Sequence, residues 1–273
     1  MKNTEIRRII RLLFITGMSM FFSGCDLQNS FLYYPDTTSP SVSSLERSGY
    51  SPWPEALQNY QALLFERKNI EIKGTVLVFH GNAGNASDRF FYGPVLNTLG
   101  YRTLLVEYPG YGGRKGELGE QPFVEEGVRI LKQASDQYGA PIYLLGESLG
   151  CGVAAAVAKN SPVAVKGILL ITPWDTLKAV AASKFPLLPV GLFLRDTYDT
   201  ISNLQEFKDR IAVVGALKDE VLPIQHARHL YETLKDKKVK MWEIQRAGHN
   251  NWMDYTDQSW WKEIWNFINS EGN

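Results

Sequence analysis

The chain has 273 residues, of which 44% are hydrophobic and 21% are charged, so it is long enough for one large globular domain or two small ones. Its 29 Lys and Arg residues balance its 29 Asp and Glu residues, and without a basic excess nothing indicates a nucleic-acid partner. The two cysteines, Cys25 and Cys151, exclude a fold that is held together by a disulfide framework.

Residues 1–24 have the organisation of a signal peptide. Basic residues precede an apolar stretch, Leu12 to Phe22, that is too short to span a bilayer. The following Phe22-Ser23-Gly24-Cys25 resembles a bacterial lipobox. The resemblance implies a mature chain that begins at Cys25, carries acyl chains there and is anchored in the bacterial cell envelope, on the periplasmic face. An ordinary secretory signal cleaved nearby and an uncleaved anchor are the alternatives.

A tether is expected over residues 25–54, which are rich in Ser, Thr, Pro and aromatic residues. We expect this tether to become ordered near Phe31 to Pro35. Residues 55–273 are then expected to form a single folded domain.

From residue 61 onward, short apolar runs alternate with segments of helical periodicity. Strands are predicted at 61–65, 75–79, 102–107, 141–145, 165–171, 211–215 and 239–244. Helices are predicted at 88–99, 121–138, 149–159, 224–234 and 259–268. This alternation predicts an α/β fold with a mainly parallel central sheet that is flanked by helices.

One segment, residues 172–204, is longer than a crossover between two strands requires. Its prolines and its short apolar run at 185–194 exclude a transmembrane span. Two compatible interpretations remain. The segment is a short lid that lines the substrate entrance, or it is a helix packed against the edge of the sheet.

The pentapeptide Gly146-Glu147-Ser148-Leu149-Gly150 lies between a predicted strand and a helix of small residues. A sharp turn from strand to helix, with glycine on both sides, presents the hydroxyl of Ser148 at its apex. A serine exposed in this way can act as a nucleophile.

A serine nucleophile needs a base, and the base needs an acid that holds its tautomer. His249 follows the last predicted strand, at the edge where open α/β sheets place their ligands, so it is predicted to be the base. Asp219 follows the strand 211–215 and is predicted to be the acid, whereas its neighbour Glu220 is expected to face solvent. Asp175 also follows a strand and is the second candidate for the acid.

The remaining histidines are expected to have other roles. His226 and His229 lie three residues apart on a predicted helix, but no Cys, Asp or Glu spacing completes a metal site, so an exposed or helix-capping role is favoured. We expect no metal and no cofactor. His80 begins a glycine-rich turn and is expected to bond within it.

The turn that begins at His80 can aim backbone N–H groups at one point, as an oxyanion hole requires. The N–H groups of Asn82 and Leu149 are the predicted donors. A phosphate-binding loop is the competing interpretation, but the turn lacks the Gly-Lys-Ser/Thr ending of a P-loop.

Cys151 follows the pentapeptide directly and is either a reactive thiol at a helix N-terminus or, as we favour, a small buried hydrophobe. In the last predicted helix, the spacing of Trp261, Ile264, Trp265 and Ile268 favours core packing over a role at a membrane surface.

Five segments, taken together and in this order, resemble the α/β-hydrolase superfamily: 80–85, 108–112, 146–150, 218–223 and 248–250. The resemblance is narrower to the small single-domain branch that includes depalmitoylating serine hydrolases and serine-aminopeptidase-like relatives. It implies the α/β-hydrolase fold, with the nucleophile, acid and base at Ser148, Asp219 and His249. It also implies oxyanion donors at Asn82 and Leu149.

We therefore expect a membrane-anchored serine hydrolase that cleaves a carboxylic ester or thioester, in a small molecule or an acylated substrate, through an acyl-enzyme. A peptidase or amidase of the same fold is the first alternative, and an anchored binding module without catalysis is the second. Fold does not fix the substrate, and the sequence indicates neither acyl chain length nor oligomeric state.

Overall fold

The computed structural model describes residues 28–67, 70–187, 189, 191 and 193–270. The predicted signal peptide and Cys25 lie outside the described residues. The strands are β1 (Tyr34–Pro35), β2 (Tyr50–Trp53), β3 (Ala62–Phe65), β4 (Gly74–Phe79), β5 (Ala83–Gly84), β6 (Tyr101–Val106), β7 (Ile142–Glu147), β8 (Val165–Ile171), β9 (Arg210–Ala216) and β10 (Val239–Ile244).

Eight of these strands form one sheet in the order β10-β9-β8-β7-β4-β6-β3-β2. From β10 to β6 every neighbouring pair is parallel, whereas β3 runs antiparallel to both β6 and β2. The mainly parallel central sheet that the sequence predicts is therefore confirmed.

The helices are α1 (Val42–Ser48), α2 (Tyr92–Thr98), α3 (Glu120–Tyr138), α4 (Leu149–Asn160), α5 (Leu177–Lys184), α6 (Thr200–Leu204), α7 (Gln225–Thr233) and α8 (Gln258–Asn269). None of the helices within the described residues is long and apolar enough to cross a bilayer.

Helices cover both faces of the sheet because its central strands are apolar on both sides. In β4, Leu77 and Phe79 pack into a core shared with α3, α4 and α7. Val76 and Val78 point the other way, into a core shared with α2 and α8. All four side chains are buried, as the two-residue period of a central parallel strand requires.

The predicted elements from 61–65 to 259–268 are present, and their ends agree within two residues, except for the helix predicted at 88–99. That segment is divided into a 3₁₀ turn, Ala86–Arg89, and α2. Asn85 begins the 3₁₀ turn early, because its side chain accepts from the backbone of Ser87. Pro94 lies in the first turn of α2, where its missing N–H costs nothing.

The predicted boundary between tether and domain at residue 54 is wrong. β2 is an edge strand of the main sheet, and Tyr33 is already buried in the core. Pro52 within β2 argues against a strand in the sequence, but proline is tolerated on an edge strand because one side of that strand needs no donor. The folded domain therefore begins well before residue 55.

Two of the three tryptophans of α8, Trp261 and Trp265, belong to the core, as the sequence predicts. Trp261, Ile264, Trp265 and Ile268 are buried on one face of the helix. Trp265 stacks on Tyr101 at a centroid distance of 4.5 Å.

We predict that Trp265→Ala lowers the free energy of unfolding by ~3–5 kcal/mol, because a large aromatic side chain leaves a cavity that the core cannot close. Urea denaturation measures this change. Trp260→Ala, at a partly exposed position of the same helix, is the control and should cost much less. Equal losses for the two variants would contradict the assignment of this helix face to the core.

Candidate active site

Ser148 occupies a sharp turn between β7 and α4. Its φ of 54° and ψ of −116° lie in a region that side-chain-bearing residues rarely adopt, so the turn is strained. A Cβ at Gly150 would lie 2.0 Å from the carbonyl oxygen of Phe79, and a Cβ at Gly146 would lie 2.5 Å from the carbonyl oxygen of Gly150. Glycine is therefore required on both sides of Ser148 because the backbones approach closely.

A continuous hydrogen-bonded path joins Ser148, His249 and Asp219. The Nε2 atom of His249 lies 2.9 Å from the Oγ of Ser148, and its Nδ1 lies 2.7 Å from the Oδ2 of Asp219. The side chains of His249 and Asp219 are only 8% and 2% exposed, so water screens this pair weakly. The structure thus brings together the three residues that the sequence singles out.

The sheet positions these three residues because each one follows a parallel strand. Ser148 follows β7, Asp219 follows β9 and His249 follows β10. The loops after β9 and β10 are joined by a bond from the N–H of Lys218 to the carbonyl of Ala247, at 2.8 Å. Parallel strands end at the same edge of a sheet, so residues far apart in sequence meet there.

The carboxylate of Asp219 is held by its own loop. Its Oδ1 accepts from the N–H groups of Val221 and Leu222, at 2.9 and 2.6 Å. These bonds leave Oδ2 for His249. Glu220 is exposed, as predicted, and its Oε2 also accepts from the N–H of His249 at 3.4 Å.

The predicted oxyanion donors lie beside the serine. A Cβ at Gly81 would be 3.6 Å from the Cβ of Ser148, so the turn after β4 runs next to Ser148. Leu149 is the first residue of α4, so its N–H has no partner inside the helix. Within the described part of the chain, no acceptor takes the N–H of Asn82 or of Leu149.

The N-terminal segment fixes the peptide of Asn82. Tyr34 donates its N–H to the carbonyl of Asn82 at 2.9 Å, and the hydroxyl of Tyr111 donates to the same oxygen at 2.7 Å. The side-chain amide of Asn82 donates to the carbonyl of Leu32 at 3.0 Å. These bonds hold the backbone around Asn82, and none of them uses the N–H of Asn82.

His80 supports the turn, as the sequence predicts. Its Nδ1 donates to the carbonyl of Gly81 at 2.8 Å, and its Nε2 lies 3.2 Å from Glu107. Glu107 is fully buried and accepts from the N–H of Ala86 and the hydroxyl of Tyr60. A buried carboxylate with this many partners fixes the turn that carries Asn82.

The partners of Glu147 were not predicted from the sequence. The Nε of Arg89 lies 3.1 Å from both carboxylate oxygens, and the hydroxyl of Tyr92 donates to one of them at 2.9 Å. Burial raises the pKa of Tyr92 well above its usual value. Burial lowers the pKa of Arg89, but Glu147 outweighs this effect and the pKa is raised. The position of Glu147 at the end of a buried strand could have indicated such partners, because a charge that is removed from water needs a group of opposite charge nearby.

The structure corrects the role expected for His226, which is buried rather than exposed or capping. Its Nδ1 lies 2.9 Å from the Oδ1 of Asp175, and its Nε2 lies 3.4 Å from the Oγ of Ser183 on α5. Asp175, the second candidate for the acid, therefore pairs with His226 and not with His249. His229 is exposed, as predicted.

The pair of Asp175 and His226 joins the segment after β8 to α7. Burial raises the pKa of Asp175, but hydrogen bonds from His226 and Thr176 outweigh burial and lower the pKa below its usual range. Among the described residues, no group of three or more His, Cys, Asp or Glu side chains could hold a metal ion.

Cys151 is fully buried, in agreement with the predicted packing role. Its Sγ lies 3.2 Å from the carbonyl oxygens of Gly146 and Ile171. Burial raises the pKa of the thiol well above its usual value, which disfavours the reactive thiolate.

Sequence comparisons find a family and several individual proteins that are similar to this chain. The family described as serine aminopeptidase S33 matches residues 70–190, which include Ser148. An uncharacterized protein of Mycobacterium tuberculosis is 29% identical over 88% of this chain and 85% of its own length. The alpha/beta hydrolase domain-containing protein WAV2 of Arabidopsis thaliana is 26% identical over 58% of this chain and 56% of its own length.

Solved structures confirm the fold. An esterase of Pyrococcus furiosus superimposes with a TM-score of 0.61, over 87% of this chain and 97% of the esterase, at 16% identity. The mainly parallel sheet flanked by helices is therefore the α/β-hydrolase fold.

Two matched substitutions separate the two aspartates. We predict that Asp219→Asn slows the reaction of Ser148 with a fluorophosphonate by ~10⁴-fold, because the imidazole loses its oriented tautomer and its counter-charge. Asp175→Asn should lower the thermal unfolding temperature, because it weakens a buried hydrogen bond. Its labelling rate should stay within ~10-fold of the unsubstituted protein, because His226, the partner of Asp175, faces Ser183 and not Ser148. A larger loss of labelling in Asp175→Asn would reverse the assignment of the acid.

Proposed function

We propose that the chain, which has the α/β-hydrolase fold, is a serine hydrolase that cleaves carboxylic ester or thioester bonds through an acyl-enzyme. The observation that carries the proposal is the unbroken path from Asp219 through His249 to the strained Ser148.

In the first step the Oγ of Ser148 attacks the acyl carbon while its proton passes to the Nε2 of His249. The 2.9 Å separation of these atoms is within the reach of a proton transfer. Asp219 keeps the Nδ1 proton of His249 pointed at itself and stabilises the imidazolium that forms.

The tetrahedral intermediate places a negative charge on the former carbonyl oxygen. In the proposal the N–H groups of Asn82 and Leu149 stabilise this oxyanion, and the loss of one such donor costs ~10²–10³-fold in rate. The intermediate collapses when His249 returns its proton to the departing alcohol or thiol. Water, deprotonated by His249, then releases the acyl group from Ser148.

Peptide hydrolysis is the second candidate, because the matched family is described as a serine aminopeptidase. An aminopeptidase must bind the α-ammonium group of its substrate, which needs an acceptor near the serine. Glu147 is adjacent to Ser148, but Arg89 and Tyr92 already satisfy its carboxylate. We therefore favour an ester or thioester substrate.

We also propose that the chain is anchored in the bacterial cell envelope through acyl chains on Cys25. This part of the proposal depends on the sequence around Cys25, which lies outside the described residues. An anchored binding module without catalysis is the third candidate. The binding-module candidate does not explain why the strained Ser148 is hydrogen-bonded to the buried His249.

We predict that Ser148→Ala abolishes fluorophosphonate labelling and lowers the hydrolysis of p-nitrophenyl esters by at least ~10³-fold, because the nucleophile is lost. Ser183→Ala is the matched control, since Ser183 also contacts a histidine that is paired with an aspartate. The control should retain both labelling and turnover.

A panel of esters, thioesters and aminoacyl anilides completes the test of the substrate class. Faster cleavage of the anilides would transfer the assignment to the peptidase candidate. Absence of Ser148-dependent labelling in the folded protein would favour the binding module.

A further inference from the structure

The edge of the sheet that carries Ser148 also carries exposed apolar side chains. In the segment after β8, Phe185, Leu187 and Phe193 are 47%, 94% and 71% exposed. Met253 and Tyr255, which follow His249 in the chain, are exposed as well. Single exposed apolar residues are common, but a concentration of them around a functional site marks an interaction surface.

The N-terminal segment reaches the same part of the molecule. The side-chain oxygen of Gln28 accepts from the N–H groups of Arg195 and Asp196, at 2.6 and 3.2 Å. Its side-chain nitrogen donates to the carboxylate of Asp196 at 2.6 Å. Phe31, which follows closely, is 66% exposed. The chain is therefore fixed to the segment after β8 at residue 28.

This attachment determines which side of the molecule an anchor at Cys25 would bring to the membrane. An extended chain advances at most about 3.6 Å per residue, so Cys25 cannot lie more than about 11 Å from Gln28. An acylated Cys25 would thus hold Phe193, two residues from Arg195, close to the bilayer surface. This orientation at the membrane depends on the proposed anchor at Cys25.

The charges of the segment after β8 complement an anionic membrane. Lys178, Lys184 and Arg195 are exposed. Of its acidic residues, Asp175 and Asp196 are buried and hydrogen-bonded within the protein, whereas Asp199 is partly exposed and caps α6. The exposed charge is therefore mainly positive beside exposed apolar groups, and this combination suits anionic headgroups above acyl chains.

We propose that Phe185, Leu187 and Phe193 form a bilayer-docking surface, with Lys178, Lys184 and Arg195 at its margin. The aromatic and leucine side chains enter the interfacial region, and the cations meet the phosphates of the lipids. The site beside Ser148 then faces the membrane. If the proposed function holds, the substrate is an ester or thioester whose acyl chain resides in the bilayer.

The position of the surface is tested with the full chain in vesicles of phosphatidylethanolamine and phosphatidylglycerol. Spin labels are attached in Leu187→Cys and Phe193→Cys, and the control is Ile70→Cys, in the loop that precedes β4 at the opposite edge of the sheet. Cys151 is fully buried, and an unsubstituted sample measures any label on the native cysteines.

At positions 187 and 193, dissolved oxygen should enhance the spin relaxation of the labels, and a water-soluble nickel chelate should have little access to them. The label at position 70 should stay accessible to the chelate. Equal chelate accessibility at all three positions would overturn the docking surface. Labelling of Ser148 by a fluorophosphonate in the same vesicles tests catalysis separately, so the two proposals can fail independently.

A functional comparison uses the double variant Leu187→Glu, Phe193→Glu. The ratio of the hydrolysis rate for a vesicle-borne ester to that for a water-soluble ester should fall by at least ~10-fold, because two apolar contacts with the bilayer are replaced by charges that anionic lipids repel. Ile70→Glu should leave the ratio unchanged. An unchanged ratio in the double variant would also overturn the docking surface.

Discussion

The parallel register of β7, β8, β9 and β10 is the constraint on which the site depends. Glu147 pairs with Ile171, Ile171 with Val214 and Ala216 with Ile244, so these strands end within two residues of one another. Three loops that are far apart in sequence therefore begin within reach of one another. The hydrogen bonds among Ser148, His249 and Asp219 follow from that alignment, and a shift of one residue in any strand would separate the three side chains.

Polar groups that are bonded within the protein surround the strained turn at Ser148 and hold it and the neighbouring turn after β4 in place. Glu107 holds the turn after β4 through His80 and Ala86, while Glu147 is neutralised by Arg89 next to the serine. Each buried charge has partners, as its desolvation requires. The strain at Ser148 is sustained by this surrounding structure, since the isolated turn would relax.

Local signals were enough to predict most of the fold and the three central residues. Strands such as β4 are apolar at every position, and the pentapeptide around Ser148 stands between a strand and a helix. The environment of His226 could not be predicted, because Asp175 lies 51 positions away in sequence and the pairing depends on how α7 packs. β2 was not predicted from the sequence for a similar reason, since Tyr50–Trp53 forms a strand only through its pairing with β3.

In the proposed mechanism, Ser148 attacks a carbonyl whose oxygen is received by the N–H groups of Asn82 and Leu149. A crystal structure of the protein after reaction with a fluorophosphonate shows directly where this oxygen lies. We expect phosphorus bonded to the Oγ of Ser148, with one phosphonyl oxygen ~2.7–3.1 Å from both nitrogens. A phosphonyl oxygen that points away from both amides, or an adduct on another residue, would contradict the account.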